Sequence, residues 1–280
     1  MSNLLKIAAL PHPIVFAEPE ANLIDIAQSL EHIPENTDII VLPEMFTTGY
    51  VKDKELVRSL GERNDGRTIS SVRRWASTLN AAIAGSFLAT DGTEYYNRAF
   101  FVEPSGETTF YDKKHLFTPS GEADIYTPGR QRFSPIRFRG WNVMLFVCYD
   151  LRFPIWCRND QLEYDLAILP SNWAEARQYA FTQLLIARAI ENQACYVGAN
   201  RGGEDLYGKY PSSMTQIYDF WGDPVGHSEN GFIIGILDKE KWRSTESASL
   251  FFVTPIPSGD RQPILPYDKK SLFLCVTFKR

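Results

Sequence analysis

The chain has 280 residues, of which 44% are hydrophobic and 22% are charged, and its formal net charge is -5. A chain of this length can bury a sizeable core, and its mild acidity argues against nucleic acid as a partner because phosphate binding needs a basic face. Its apolar runs fall well short of the roughly 20 residues that a membrane span needs, so we expect no membrane partner either.

The four cysteines lie far apart, without the paired spacing of a metal site or a disulfide framework. We therefore expect free thiols and a cytoplasmic location. The short apolar run at the start is broken by Lys6 and two prolines, which predicts a first strand rather than a signal peptide. Only four histidines occur, so a cysteine nucleophile would have few histidine bases available.

Short aliphatic runs alternate along the chain with segments whose apolar residues recur at helical spacing. In chain order these predict a strand at 4–10, a helix at 19–33, a strand at 38–43, a helix at 66–80, strands at 81–88, 98–104, 108–114, 142–148 and 165–170, a helix at 176–194, and strands at 195–200, 213–220 and 231–237. This order indicates a mixed α/β sheet protein. The apolar face of the last helix is predicted to run through Ala180, Leu184, Ala187 and Ile190.

Three predicted strands end in side chains that can do chemistry. The strand at 38–43 leads into Glu44, and the strand at 142–148 ends in Cys148. The strand at 108–114 ends in a lysine pair. Reactive groups in open α/β sheets collect beyond the carboxyl ends of the strands, so we expect these groups to converge. Taken singly, each is more often an ordinary structural residue, such as a small core thiol or a solvated turn charge.

Together, a thiol, a carboxylate and an ammonium are sufficient for acyl transfer. The thiol needs a base or a positive charge to become a nucleophile, and the carboxylate can take its proton and pass it to a leaving amine. The ammonium can hold the oxyanion of a tetrahedral intermediate. The sequence therefore predicts hydrolysis of an amide or nitrile without a histidine base, a metal or a cofactor.

With these residues assembled, almost the whole chain resembles the nitrilase superfamily of carbon–nitrogen hydrolases. Three stretches are similar to that family's glutamate, lysine and cysteine motifs, in that order: LPEMFTTGY (42–50), YDKKHLF (111–117) and CYDLRFP (148–154). The resemblance implies Glu44 as general base, Lys113 as oxyanion stabiliser and Cys148 as nucleophile. It also implies a second active-site glutamate at Glu122.

The fold that this resemblance implies is the family's αββα four-layer sandwich, with two mixed β-sheets flanked by helices. The chain is then a single carbon–nitrogen hydrolase domain over residues 1–280. Members of the family pair into dimers, so we expect a homodimer or a higher homo-oligomer. A C-terminal tail at about 255–280, which includes a strand-like run at 268–280, is expected to contribute to that dimer.

Within the superfamily, the motifs above together with SNW (171–173) and ARAIENQ (187–193) are most similar to the omega-amidase branch. The partners implied are water and a dicarboxylic monoamide of the 2-oxoglutaramate, 2-oxosuccinamate or succinamate type. Arginines are candidates for the remote carboxylate, although Arg201 is expected to fix a loop. The predicted substrate-binding residues are Tyr149, whose N–H would complete the oxyanion hole, with Arg152, Trp173, Arg177, Phe46 and Tyr126.

One segment departs from the branch. Residues 211–215 read PSSMT where the branch has Tyr-x-Gly-x-Ser, and Tyr210 stands one place early, so we expect a reshaped loop beside the pocket. This leaves the substrate open between an amide, a nitrile and an N-carbamoyl acid. A catalytically inactive binding member of the superfamily is a further alternative.

Overall fold

The computed structural model describes residues 3–241, except 133 and 206. The strands within them are β1 (Leu4–Ala9), β2 (Ile39–Val41), β3 (Ala82–Thr90), β4 (Tyr95–Val102), β5 (Thr108–Asp112), β6 (Ile136–Phe138), β7 (Trp141–Leu145), β8 (Leu166–Ser171), β9 (Cys195–Asn200), β10 (Glu204–Asp205), β11 (Gly208–Lys209), β12 (Gln216–Tyr218), β13 (His227–Glu229) and β14 (Phe232–Asp238). The α-helices are α1 (Pro19–Leu30), α2 (Lys54–Leu60), α3 (Arg67–Leu79), α4 (Pro154–Cys157) and α5 (Gln178–Asn192). The predicted dimer tail at about 255–280 lies outside the described residues.

The strands form two mixed sheets and a small hairpin. The first sheet has the order β13-β14-β1-β2-β3-β4-β5, with β1, β2 and β3 parallel to one another and the other pairs antiparallel. The second sheet has the order β12-β9-β8-β7-β6, with β7, β8 and β9 parallel. Strands β10 and β11 form the hairpin.

The two sheets stack on each other and helices cover their outer faces. Along β1 the alternation of side chains places Leu5 and Ile7 in the core between the sheets, while Ala8 faces the layer of α1 and α3. On the outer face of the second sheet, α5 packs closely on β9, where a side chain at Gly198 would clash with Leu185. The predicted αββα four-layer sandwich is therefore confirmed.

The predicted helices and strands are present, with small differences at their ends. Helix α1 begins at a proline, whose fixed φ suits the first helical turn. Helix α3 ends where Asn80 adopts the left-handed conformation (φ 49°), which breaks the helix. Strand β7 ends three residues before Cys148, because the chain turns into a 3-10 helix at the cysteine. The short α2, α4, β6, β10, β11 and β13 were not predicted.

The predicted apolar face of α5 is correct only in part, because Ala180 and Leu184 are half-buried against the core whereas Ala187 and Ile190 are exposed. The buried residues are Phe181, Leu185, Arg188, Ala189 and Asn192, so the face is rotated by one residue, or about 100°, and Ile190 is 51% exposed. Two of the buried residues are polar and hydrogen-bonded: the Arg188 Nε donates to the carbonyl of Leu151 at 3.1 Å, and the Asn192 side chain accepts the Asn159 N–H. Because two residues of the packed face are polar, the spacing of apolar residues in the sequence does not identify that face.

The described part of the chain contains no helix that is both long enough and apolar enough to cross a membrane.

Candidate active site

The three predicted catalytic side chains converge on one cavity of about 220 Å³. Glu44 follows β2 and Lys113 follows β5, both in the first sheet, whereas Cys148 follows β7 in the second sheet. The backbone N–H of Glu44 reaches the carbonyl of Ser171 at the end of β8, which links the two sheets at this edge. The strand ends of both sheets therefore build the cavity floor.

A buried charge cluster forms that floor. The Lys113 Nζ lies 2.9 Å from the Glu44 Oε1 and 2.9 Å from each carboxylate oxygen of Glu122. Lys113 and Glu44 are 2% exposed and Glu122 is fully buried. A buried charge is stable only when it is paired and hydrogen-bonded, and here one ammonium serves two carboxylates.

The pKa directions in the cluster follow from this pairing. Burial alone would lower the pKa of Lys113, but the carboxylates of Glu122 and Glu44 outweigh it and raise that pKa well above its ordinary value. Burial raises the pKa of Glu122, and the charge of Glu44 adds to the effect while Lys113 opposes it. Lys113 is thus a permanent cation that can stabilise an oxyanion.

Cys148 lies at the start of the 3-10 turn with φ 46°, a left-handed conformation that is uncommon for a cysteine. Cys148, Glu44 and Asn172 line the same cavity. Burial, followed by the negative charge of Glu44, raises the pKa of Cys148 well above its ordinary value. The resting group is therefore a thiol in the same cavity as a carboxylate that can take its proton.

Two polar residues that the sequence analysis missed hold the carboxylates. The Asn97 Nδ2 donates to the Glu44 Oε1 at 2.7 Å and to the Glu122 Oε1 at 3.3 Å. The Ser86 hydroxyl donates to the Asn97 Oδ1 at 3.0 Å and accepts the Met45 N–H at 3.0 Å. Both residues are fully buried on strands of otherwise apolar inward faces, and that position was the available signal.

Asp150 connects the cysteine turn to the lysine loop. Its carboxylate accepts the Val147 N–H at 3.0 Å within its own turn. From the other sheet it accepts the Tyr111 hydroxyl at 2.7 Å and the His115 N–H at 2.9 Å. Since Tyr111 and His115 flank Lys113 in sequence, this buried carboxylate fixes the distance between Lys113 and Cys148.

Four of the six predicted substrate-binding residues line the cavity: Tyr149, Arg152, Trp173 and Arg177. The other two do not. Met45 has a left-handed backbone (φ 51°), and the ring of Phe46 beyond it packs on Phe100 in the core. The Tyr126 hydroxyl donates to the carbonyl of Val51, and its ring is buried.

Several cavity residues were not among the predicted ones: Tyr50, Lys52, Phe117, Ser120, Asn172, Tyr207 and Tyr210. The Tyr50 hydroxyl contacts the Ser120 hydroxyl at 3.1 Å. Tyr210, next to the segment that departs from the omega-amidase branch, reaches the cavity wall. Arg201 does not line the cavity: it pairs with Asp205 at 2.5 Å and donates to the carbonyl of Ile14, so it fixes loops as expected.

The comparisons with known proteins agree with this geometry. The family model described as carbon–nitrogen hydrolase matches residues 6–246. The chain belongs to the carbon–nitrogen hydrolase family. The predicted resemblance to the nitrilase superfamily is thereby confirmed.

The relatives of this carbon–nitrogen hydrolase include amidases. It is 40% identical to omega-amidase YafV of Yersinia enterocolitica over 229 residues, and the match covers 82% of this chain and 87% of the relative. It is 27% identical over 251 residues to a 2-oxoglutaramate amidase of Bacillus subtilis, covering 88% and 95%. The crystal structure of XC1258 from Xanthomonas campestris, a CN-hydrolase superfamily protein with an arsenic adduct in its active site, superposes with a TM-score of 0.81 at 31% identity, covering 89% and 95%.

The connecting role of Asp150 can be measured as stability. Asp150→Ala removes the acceptor of the Val147 N–H, the Tyr111 hydroxyl and the His115 backbone N–H, of which the first two are buried. We expect it to lower the free energy of unfolding by on the order of 3 kcal/mol. Asp160→Ala is the matched control, since the carboxylate of Asp160 is exposed near the same turn and its loss should change stability by less than about 0.5 kcal/mol. Urea unfolding followed by tryptophan fluorescence compares the two. Equal unfolding midpoints for the two variants would show that the hydrogen bonds of Asp150 do not stabilise the fold.

Proposed function

We propose that this carbon–nitrogen hydrolase cleaves the terminal amide of a small dicarboxylic monoamide, of the 2-oxoglutaramate, 2-oxosuccinamate or succinamate type, to the acid and ammonia. That the chain is an amidase rests on its family and on its omega-amidase relatives. The observation that carries the proposal is the cavity itself. Glu44, Lys113 and Cys148 meet at its buried floor, and cationic side chains stand on its walls.

In the proposed first half-reaction, Glu44 takes the proton of the Cys148 thiol as the sulfur attacks the amide carbonyl. The ammonium of Lys113, with the backbone N–H of Tyr149, holds the oxyanion of the tetrahedral intermediate. Glu44 then protonates the amide nitrogen, the carbon–nitrogen bond breaks and ammonia leaves. The acyl group remains on the sulfur as a thioester.

In the second half-reaction Glu44 takes a proton from water, and the resulting hydroxide attacks the thioester. The same oxyanion site holds the second intermediate, and the carbon–sulfur bond breaks. The proton returns from Glu44 to the sulfur, so the net reaction consumes one amide and one water. Both carboxylate oxygens of Glu122 bind the Lys113 ammonium, which keeps the ammonium in place through both steps.

Ammonia release across a substrate panel tests the proposal: succinamate, glutaramate, 2-oxoglutaramate, glutamine, asparagine, an N-carbamoyl acid and simple nitriles. We expect the dicarboxylic monoamides to have the highest kcat/KM. Cys148→Ala should lower kcat by at least about a thousandfold while the protein stays folded. Cys195→Ala, which changes a buried thiol away from the cavity, should leave kcat near wild type.

Two results would contradict the proposal. Preference for a nitrile or an N-carbamoyl acid would overturn the substrate class. Near-normal turnover by folded Cys148→Ala would overturn the thioester mechanism.

The contacts of Asn97 predict a change in pH dependence. Asn97→Leu keeps the volume of the side chain but removes the N–H that Glu44 and Glu122 share. Losing a donor favours the protonated carboxylates. Burial already raises the pKa of Glu122, and losing the Asn97 donor raises it further, so the acidic limb of the pH–rate profile should move to higher pH.

The control for this prediction is Ser86→Ala, which removes the donor that orients Asn97 and should move the same limb in the same direction by less. A variant whose rate falls at all pH values with the acidic limb in place would assign Asn97 a packing role alone.

A further inference from the structure

Three cations line the cavity apart from its buried floor: Lys52, Arg152 and Arg177. Each lies against an aromatic ring. The Lys52 ammonium is 4.1 Å from the centre of the Tyr207 ring. The Arg152 guanidinium is 4.9 Å from the ring centre of Trp173, and that of Arg177 is 5.2 Å from the ring centre of Phe117.

Within residues 3–241, leaving out 133 and 206, none of these three cations has a carboxylate at ion-pair distance. Glu44 and Glu122 are the acids of the cavity lining within that range, and both are held by Lys113. The walls are therefore positive and unneutralised, which attracts an anionic substrate into the cavity.

Lys52 stands at the mouth of this cavity. Tyr207, beneath its ammonium, is 50% exposed, whereas the cluster at the floor is buried. A second tyrosine, Tyr50, lies 5.6 Å from the ammonium and is tied to Ser120. The lysine stem can lie along these rings while its charged end faces the opening.

Lys52 lines the same cavity as Glu44 and Cys148. A substrate carboxylate bound by Lys52 would pair with an ammonium that forms no ion pair with an acid among the described residues. A positively charged group in the same place would meet repulsion, because the surrounding wall offers it no acid.

We propose that Lys52 is a specificity-determining residue that binds the remote carboxylate of the substrate and disfavours an ammonium on the neighbouring carbon. The inference rests on the proposed function and adds a distinction to it. Monoamides with an unsubstituted or oxo carbon beside the carboxylate are accepted, and the ω-amides of amino acids, such as glutamine, are rejected. Arg152 and Arg177 supply the rest of the positive wall.

The test compares three substrates of matched length: glutaramate, which is anionic, pentanamide, which is neutral, and glutamine, which carries an ammonium. Lys52→Met keeps an unbranched stem against the tyrosines and removes the charge. We expect it to lower kcat/KM for glutaramate by about tenfold, as for one charge-assisted contact, and to leave pentanamide within about twofold. Lys52→Glu should raise the glutamine-to-glutaramate ratio of kcat/KM by more than about tenfold.

Lys209→Met is the matched control, because Lys209 is an exposed lysine on the hairpin strand next to Tyr207 and does not line this cavity. It should leave all three substrates unchanged. Binding of glutarate to the wild type and to Lys52→Met, measured by calorimetry, gives a readout that needs no turnover. We expect its Kd to rise by about tenfold in the variant.

The outcomes separate the two proposals. Equal glutarate affinity of wild type and Lys52→Met, or equal loss on glutaramate and pentanamide, would overturn the role of Lys52. Charge-dependent glutarate binding without ammonia release from any monoamide would support Lys52 as an anion site and would instead overturn the proposed reaction.

Discussion

The ammonium of Lys113 between the carboxylates of Glu44 and Glu122 is the interaction on which the rest of the site depends. Removing the ammonium of Lys113 would leave two buried carboxylates without their cation, which costs several kcal/mol. The cluster therefore persists only while the surrounding structure holds all three side chains together. The donors from Asn97 and from the Phe117 backbone complete the coordination of the two carboxylates.

The proposed catalytic groups come from two stacked sheets rather than from one. The base and the oxyanion stabiliser proposed here follow strands of the first sheet, and the nucleophile follows a strand of the second. Asp150 bonds across the gap, so the distance between Cys148 and the ammonium is set by buried hydrogen bonds rather than by loops. The walls above the floor come from several loops, with Lys52 after β2, Phe117 after β5 and Tyr207 between β10 and β11.

The fold class and the groups at the strand ends could be predicted from the sequence, because aliphatic runs and the residues that follow them are local patterns. It missed contacts that depend on packing between distant segments. Ser86 and Asn97 look like single polar residues in apolar strands, and only the folded sheet shows the carboxylates above them. Phe46 does not line the cavity because it follows the left-handed backbone of Met45, a conformation that the sequence does not predict. Arg188 is buried on the packed face of α5, where an apolar residue would be expected.

In the proposed reaction, amide cleavage passes through an acyl group on Cys148. Rapid acid quench of the wild type with succinamate, followed by peptide mass spectrometry, tests it most directly, with added hydroxylamine as a competitor for water. We expect an acyl adduct on the peptide that contains Cys148, and hydroxamate formed at the expense of acid. Ammonia release with Cys148 unmodified at every quench time and with no hydroxamate would contradict it.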